Sequence, residues 1–454
     1  MYLRSAFLPL LISVLLFQAQ GDLFRRHYEA AQEYQRAGNF AAAEAEFKTI
    51  TAEANLRLGR IYTAQGNYSA AVGALESATS ILDATPGFID LSIAYFHTGQ
   101  YPKAIAALQR AVDPQNPAIH HMLGKTWFMM GEFDKAVGEL ETTLKISPGD
   151  YDAEYTLGLA YLKKRDVTSA KQLYDAMVQR LGNRPALRVL IGRAYRETGF
   201  LPESIEEFKQ AIALDPRFPR VHYYLGLTYL YKDGAARIRE AMEEFKIELA
   251  ANPDEYFANF YLGILYIMDR KWDDAIVLLE KAVQKQPNNP DPYFHLGQAY
   301  QGAGKHPQAI GVLEKSIALT PSLDHNDYQV TTAHYRLGQS LLKVGRTADG
   351  EKELQLSAEL KSKGFKMDEK KVGAFLSGNP LPNQNGKTEL VKAEGVVAEP
   401  LALDLKTIEK LKADQVLFEK VAAAAHNGIG LLRAQQGDFR EAALQFAQAA
   451  KLNP

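Results

Sequence analysis

A glycine that recurs at a near-constant interval constrains this chain more than any other feature. It stands in short segments that pair Leu or Ile with glycine and place an aromatic three residues later. Leu58-Gly59 with Tyr62 opens the series, and Leu123-Gly124 with Trp127 and Leu157-Gly158 with Tyr161 follow. Ile191-Gly192 with Tyr195, Leu225-Gly226 with Tyr229, Leu262-Gly263 with Tyr266 and Leu296-Gly297 with Tyr300 continue it. From Gly124 onward the glycines are separated by 34, 34, 34, 37 and 34 residues. A period of that length is one supersecondary unit, too small to bury its own apolar face, so neighbouring copies must stack.

Each copy repeats the same downstream pattern. A turn residue comes seven positions after the first glycine (Gly66, Gly131, Gly199, Gly304), and a small residue follows it (Ala71, Ala136, Ala275, Ala309). Four positions on sits a large apolar residue (Leu75, Leu140, Phe208, Phe245, Leu279), and a proline often closes the copy (Pro148, Pro216, Pro253, Pro287, Pro321). Apolar residues at intervals of three and four mark amphipathic helices. The turn glycine supplies the left-handed conformation that ends the first helix, and the proline ends the second. The fold class is therefore all-α, built from antiparallel helix pairs.

These residues resemble the tetratricopeptide-repeat family over most of the chain. The resemblance implies a TPR solenoid: a right-handed superhelix with a concave groove lined by the first helix of each pair, about eleven repeats in all. The expected layout is an array over residues 22–360, a poorly ordered linker over 361–403, and a helix with a last repeat over 404–454. Three departures from the pattern stand out. Ala31, at the glycine position of the first copy, precedes Gly59 by only 28 residues. About three extra residues near Lys232 to Arg239 lengthen a turn. Gly350 takes the alanine position of its repeat, which is expected to weaken helix pairing. The linker carries Gly378-Asn379-Pro380 and Pro382-Asn383-Gln384-Asn385-Gly386, all breaker chemistry. The last repeat runs to Pro454 with no solvating helix after it, which suggests self-association through an uncapped end.

The N-terminus reads as an export signal over residues 1–21. Met1 to Arg4 carry one positive charge, Ala6 to Phe17 form an apolar run, and Ala19-Gln20-Gly21 is a small-residue cleavage signature. The expected location is periplasmic or secreted, with the alternative of an uncleaved anchor. No later segment reads as a membrane span. The chain has no cysteine, which removes disulfides, thiol nucleophiles and an acylated lipoprotein anchor. Its formal net charge of -2 argues against nucleic-acid binding, which needs a basic excess.

Short matches to chemical motifs fail on context. Gly124-Lys125-Thr126 lacks the upstream glycine of a phosphate loop and lies inside a repeat helix. His120 and His121 are adjacent, and adjacent helical side chains point to different faces, so one metal site cannot readily use both. Asn67-Tyr68-Ser69 is a glycosylation sequon that falls in a repeat turn. No catalytic constellation, cofactor site or metal site emerges.

The groove is the informative surface. Positions 5, 9 and 12 of a first helix share one face. They read Tyr155, Leu159 and Leu162; then Arg193 and Arg196 after Val189; then Tyr223, Leu227 and Leu230 beside Tyr231. They continue as Phe260, Ile264 and Ile267 beside Met268, and as Phe294 before Gln298 and Gln301. Two readings of the position 5 residues stand side by side, groove wall or inter-repeat core. Chaperone-binding members of the family hold a C-terminal carboxylate with a Lys/Asn/Arg clamp, and Asn and Lys are nearly absent here. An apolar, tyrosine-rich groove suits a protein or peptide segment with hydrophobic anchors. The expected function is a non-catalytic interaction scaffold, with the alternatives of an appendage of a larger envelope enzyme or a structural element stacking end to end.

Overall fold

The computed structural model describes residues 22–111, 113–320, 327–376 and 404–453; the export segment and the Gly378 to Gly386 stretch lie outside these. Every described element is helical. The chain divides into two compact bodies, one holding the residues up to Leu173 together with the C-terminal segment, the other running from Tyr174 to Ala393.

In the first body, α1 (Asp22–Arg36), α2 (Phe40–Ala64), α3 (Tyr68–Thr79), α4 (Thr85–His97), α5 (Tyr101–Arg110), α6 (Pro117–Met129), α7 (Phe133–Ile146) and α8 (Tyr151–Lys163) succeed one another. The division falls within α9 (Val167–Leu181). The second body continues with α10 (Pro185–Glu197), α11 (Leu201–Leu214), α12 (Val221–Asp233), α13 (Ile238–Ala251), α14 (Tyr256–Met268), α15 (Trp272–Lys285), α16 (Pro290–Gly302), α17 (His306–Leu319), α18 (Asp327–Lys343) and α19 (Thr347–Leu376). Two last helices, α20 (Leu405–Gln435) and α21 (Phe439–Leu452), belong to the first body.

The recurring glycine sits where two helices of one pair touch. A Cβ on Gly263 would lie 2.7 Å from Leu279, and one on Gly124 or Gly297 would lie 2.6 Å from Leu140 or Leu313. The large residue sixteen positions on therefore fills the space the missing side chain leaves, and it is fully buried in each case. The turn glycines Gly66, Gly131, Gly199 and Gly304 all have positive φ. In two repeats an arginine takes that place, Arg165 at φ 66 and Arg270 at φ 56. In the pair α18–α19, Gly350 lies directly against Gly338: a Cβ on Gly338 would lie 2.9 Å from the Gly350 carbonyl oxygen. With no methyl at either position, the two backbones approach directly.

A second periodic feature ties the helices of each pair together. The residue four positions before the register position (Ala31, Gly124, Gly226, Gly338) is histidine in several repeats, and it bonds a carboxylate of the second helix. Nδ1 lies 2.5 Å from Glu46 in His27, 2.7 Å from Glu139 in His120, and 2.6 Å from Glu244 in His222 and Glu353 in His334. Nε2 of His120 and His222 also reaches the carbonyls of Pro114 and Pro216, which lie ahead of the helix. Asn259 and Tyr293 make the same reach, donating to the carbonyls of Pro253 and Pro287. His121, by contrast, pairs with Asp152 at 3.1 Å, so the two adjacent histidines serve different carboxylates. Asn67 of the sequon is the N-cap of α3, its side chain accepting from the Ala70 N–H at 3.3 Å.

Three differences from the sequence reading concern the ends of the array. Residues 49–55 hold no closing proline, so the second helix of repeat one runs straight into the first helix of repeat two as the 25-residue α2. The short spacing from Ala31 to Gly59 is the consequence. The helix α19 continues to Leu376, past the expected start of the linker: Lys361 to Leu376 contains no proline to stop it, and Gly364 and Gly373 are carried within the helix. The last repeat packs on the first, as α20 lies antiparallel along α2. Phe24, Tyr28, Phe47, Ile50, Val421, Ala425, Ile429 and Leu432 form one buried core, and a Cβ on Gly428 would lie 2.6 Å from Phe47. Tyr62 donates to Glu419 at 3.0 Å, and Arg433 to Glu44 at 2.8 Å. The opposite side of that last pair stays open, with Phe439 72% exposed.

Candidate partner-binding groove

The register that selects positions 5, 9 and 12 selects a face that is largely core. In the first body, Tyr155, Leu159 and Leu162 are fully buried. In the second, Tyr223, Leu227 and Phe294 are buried as well. Of the two readings open at position 5, inter-repeat core is correct for these tyrosines and for Phe294; Leu159, Leu162 and Leu227 follow them inside. Bulky side chains on adjacent first helices fill the space between repeats and leave no surface to offer.

What remains accessible is a narrower strip in the second body. Tyr231 and Met268, one position beyond the register, are each 63% exposed. Leu230, Phe260, Ile264 and Ile267 are half-buried beside them, as are Arg193 and Arg196. The position of Tyr231 and Met268, five residues after the register glycine, is thus the outermost point of this strip. The heptad-like arithmetic of a single helix puts it only one residue from position 12, so the sequence marks it no more strongly than its neighbours.

The strip rests on a continuous run of rings. Tyr223 stacks at 5.3 Å on Phe257 and lies 6.2 Å from Tyr261. Tyr256 stacks at 5.9 Å on Phe260, and Phe260 meets His295 edge-on at 5.5 Å. These separations fall in the range where offset and T-shaped pairs are favourable. Tyr256, Tyr261 and His295 were not singled out in the sequence. For Tyr256 and Tyr261 the signal was the density of aromatics at the start of α14, Tyr-Phe-Ala-Asn-Phe-Tyr, rather than the register.

The electrostatics are simple. Burial holds the Tyr223 phenol well above its ordinary range and pushes Tyr256 up to about 12. Burial also lowers the His295 imidazole, against the pull of its Gln298 partner. The rings are therefore neutral at neutral pH, and charges of both signs act on them: Asp291 on Tyr256, Tyr261 and His295, and Arg196 on Tyr223 and Tyr261. Arg193 and Arg196 approach the Tyr224 ring to 5.5 and 5.1 Å, within cation–π range. At the other end the polar groups satisfy one another. Gln301 accepts from Arg336 at 2.9 Å and donates to the Arg336 carbonyl at 3.1 Å, and Gln339 donates to the Tyr335 hydroxyl at 2.8 Å. No described helix is long and apolar enough to cross a membrane.

Comparison with known proteins agrees with this architecture. Family models described as tetratricopeptide repeat match residues 28–87, 95–155, 231–290 and 266–329, and one described as TPR repeat matches 192–233. A cell division cycle protein 27 homolog of Caenorhabditis elegans is 34% identical over 94 residues, 20% of this chain and 12% of that protein. The TPR repeat-containing protein YpiA of Bacillus subtilis (strain 168) is 26% identical over 170 residues, 36% of this chain and 40% of that protein. The chain thus spans less than half the length of either relative. Among solved structures, the crystal structure of MamA is 24% identical, covers 39% of this chain and 97% of its own, and superposes with a TM-score of 0.34. Matched over more than half its length by models of one repeat type, the chain belongs to the tetratricopeptide-repeat family.

Proposed function

We propose that this chain is a non-catalytic scaffold that holds a hydrophobic polypeptide segment against the first helices of its second body, outside the cytoplasm. Members of the repeat family serve as protein-interaction scaffolds. The observation that carries the groove reading is the pairing of exposed Tyr231 and Met268 with half-buried Leu230, Phe260, Ile264 and Ile267. Contiguous apolar side chains left open on a protein surface mark a contact site, and tyrosine and methionine are over-used at such sites. Neutral phenols and a neutral imidazole recruit by packing and hydrogen bonding rather than by nucleophilic chemistry. Export is supported by the charged, apolar and small-residue succession of Met1 to Gly21.

The test uses surface positions, because the buried Tyr223 and Leu227 cannot be truncated without damaging the fold. Tyr231→Ser combined with Met268→Ser is expected to weaken partner binding by about 2–4 kcal/mol with unchanged helicity and melting temperature. The measurement is affinity capture from an envelope fraction followed by titration of each recovered partner. If the double variant recovers the same partners with the same affinity, the groove is not where they bind.

A further inference from the structure

Arg196, in the last turn of α10, is poised at the edge of the aromatic run with an unmet bond. Its guanidinium lies 5.1 Å from the centre of the Tyr224 ring. Its Nη1 is buried and has no hydrogen-bond partner among the described residues. Arg193, one turn earlier, differs in lying 4.0 Å from Glu197. A buried charged donor left unpaired is costly, so native structures place an acceptor there, from the protein or from a ligand.

The surroundings define that acceptor. Tyr223 lies 5.1 Å from Tyr224 and 6.2 Å from Tyr261, ring centre to ring centre. Burial raises the phenols of both Tyr223 and Tyr261, and the Arg196 charge acts on both in the opposite sense, so both hydroxyls stand in its field. Both phenols remain neutral and can donate. Two acids of the chain act on these phenols, Asp291 on Tyr261 and Glu255 on Tyr223. Of these, Glu255 is already engaged, pairing with Arg220 at 3.2 Å and accepting the Ala258 N–H at 2.6 Å. A guanidinium whose charge acts on two phenol donors, at one end of an apolar strip, is complementary to a carboxylate.

We infer that the groove receives an acidic side chain of the bound polypeptide on the Arg196 guanidinium and the Tyr223 and Tyr261 hydroxyls, while apolar anchors of the same segment sit on Phe260, Ile264 and Met268. This rests on the groove reading above and adds the chemistry of one subsite. The partner is a segment with an Asp or Glu a few residues from hydrophobic anchors, recognised through a side-chain carboxylate and not through a chain terminus.

Random dodecapeptides displayed on phage, with their C-terminal ends covered by the coat protein, test this on the full chain. The selected peptides are expected to combine an acidic residue with aromatic or aliphatic anchors. Glu→Gln in a selected peptide and Arg196→Ala in the protein should each weaken binding about tenfold, and together no further, while Arg196→Lys restores part of the affinity. Circular dichroism of each variant guards against loss of fold. Apolar peptides without acid enrichment, or acid-dependent binding indifferent to Arg196→Ala, would overturn the subsite and leave the groove standing. Binding indifferent to Tyr231→Ser with Met268→Ser would overturn the groove itself. A free-acid peptide that binds more tightly than its C-terminal amide, with Glu→Gln silent, would put a chain terminus in the site and end the side-chain assignment.

Discussion

At the scale of single residues, one repeat contains both a glycine it needs and an arginine where a glycine belongs. Gly263 has no room for a methyl group against Leu279, whereas Arg270 holds a left-handed turn at φ 56 that costs an L-residue with a Cβ. Arg270→Gly is expected to stabilise the protein by about 1 kcal/mol, the relief of backbone strain exceeding the entropy glycine adds to the unfolded chain. Gly263→Ala is expected to destabilise it by about 1–3 kcal/mol through overpacking. Chemical denaturation of the two variants checks both signs at once. A destabilised Arg270→Gly would mean that the arginine side chain contributes more than its backbone strain costs. The glycine register was fully legible in the sequence, because it is enforced within one helix pair by residues at fixed separation.

At the scale of helix pairs, the histidine four residues before the register position is a clip that the sequence did not reveal as one. His222 is the clearest case. Burial disfavours its charged form, but the Glu244 carboxylate, the Pro216 carbonyl and the more distant Glu248 outweigh burial, and its value is raised. A raised folded value means the charged clip stabilises α12 against α13 fully at pH below about 6.5, the ordinary histidine value. That contribution is lost as pH rises through the folded value. The melting temperature of the wild type minus that of His222→Gln is therefore expected to be larger at about pH 6 than at about pH 8. A difference independent of pH would show that the pair acts as a neutral hydrogen bond only. The histidines are visible at positions 27, 120, 222 and 334, yet their partners lie about nineteen residues on in another helix. Only the packed pair shows that the two meet.

At the scale of the whole molecule, the first body is closed by chain segments far apart in sequence. Ending the chain before Asp404 would uncover Phe24, Phe47 and Ile50, which are buried against α20. Each fully buried side chain of this size is worth about 2 kcal/mol. The truncated protein is expected to lose hydrogen-exchange protection in α1 and α2, while the helices of the second body keep theirs. Protection restored by adding residues 404–454 as a separate peptide would confirm the contact as the cause; unchanged protection in the truncated chain would show that α1 and α2 stand alone.

Sequence alone determined the repeat, the helix pairing within it and the family. Each of these is set by residues close together in the chain, at spacings that helix geometry makes readable. Tertiary structure alone decided that Tyr155, Leu159, Leu162, Tyr223, Leu227 and Phe294 are core, and that Tyr231 and Met268 stand exposed. It also decided that the last repeat packs on the first instead of standing apart. The physical reason is common to these outcomes. Burial depends on what the neighbouring repeat presses against a side chain, and hydrophobic attraction carries no record of sequence distance. A local period can therefore name the apolar face of a helix without saying whether a partner or the protein itself covers it.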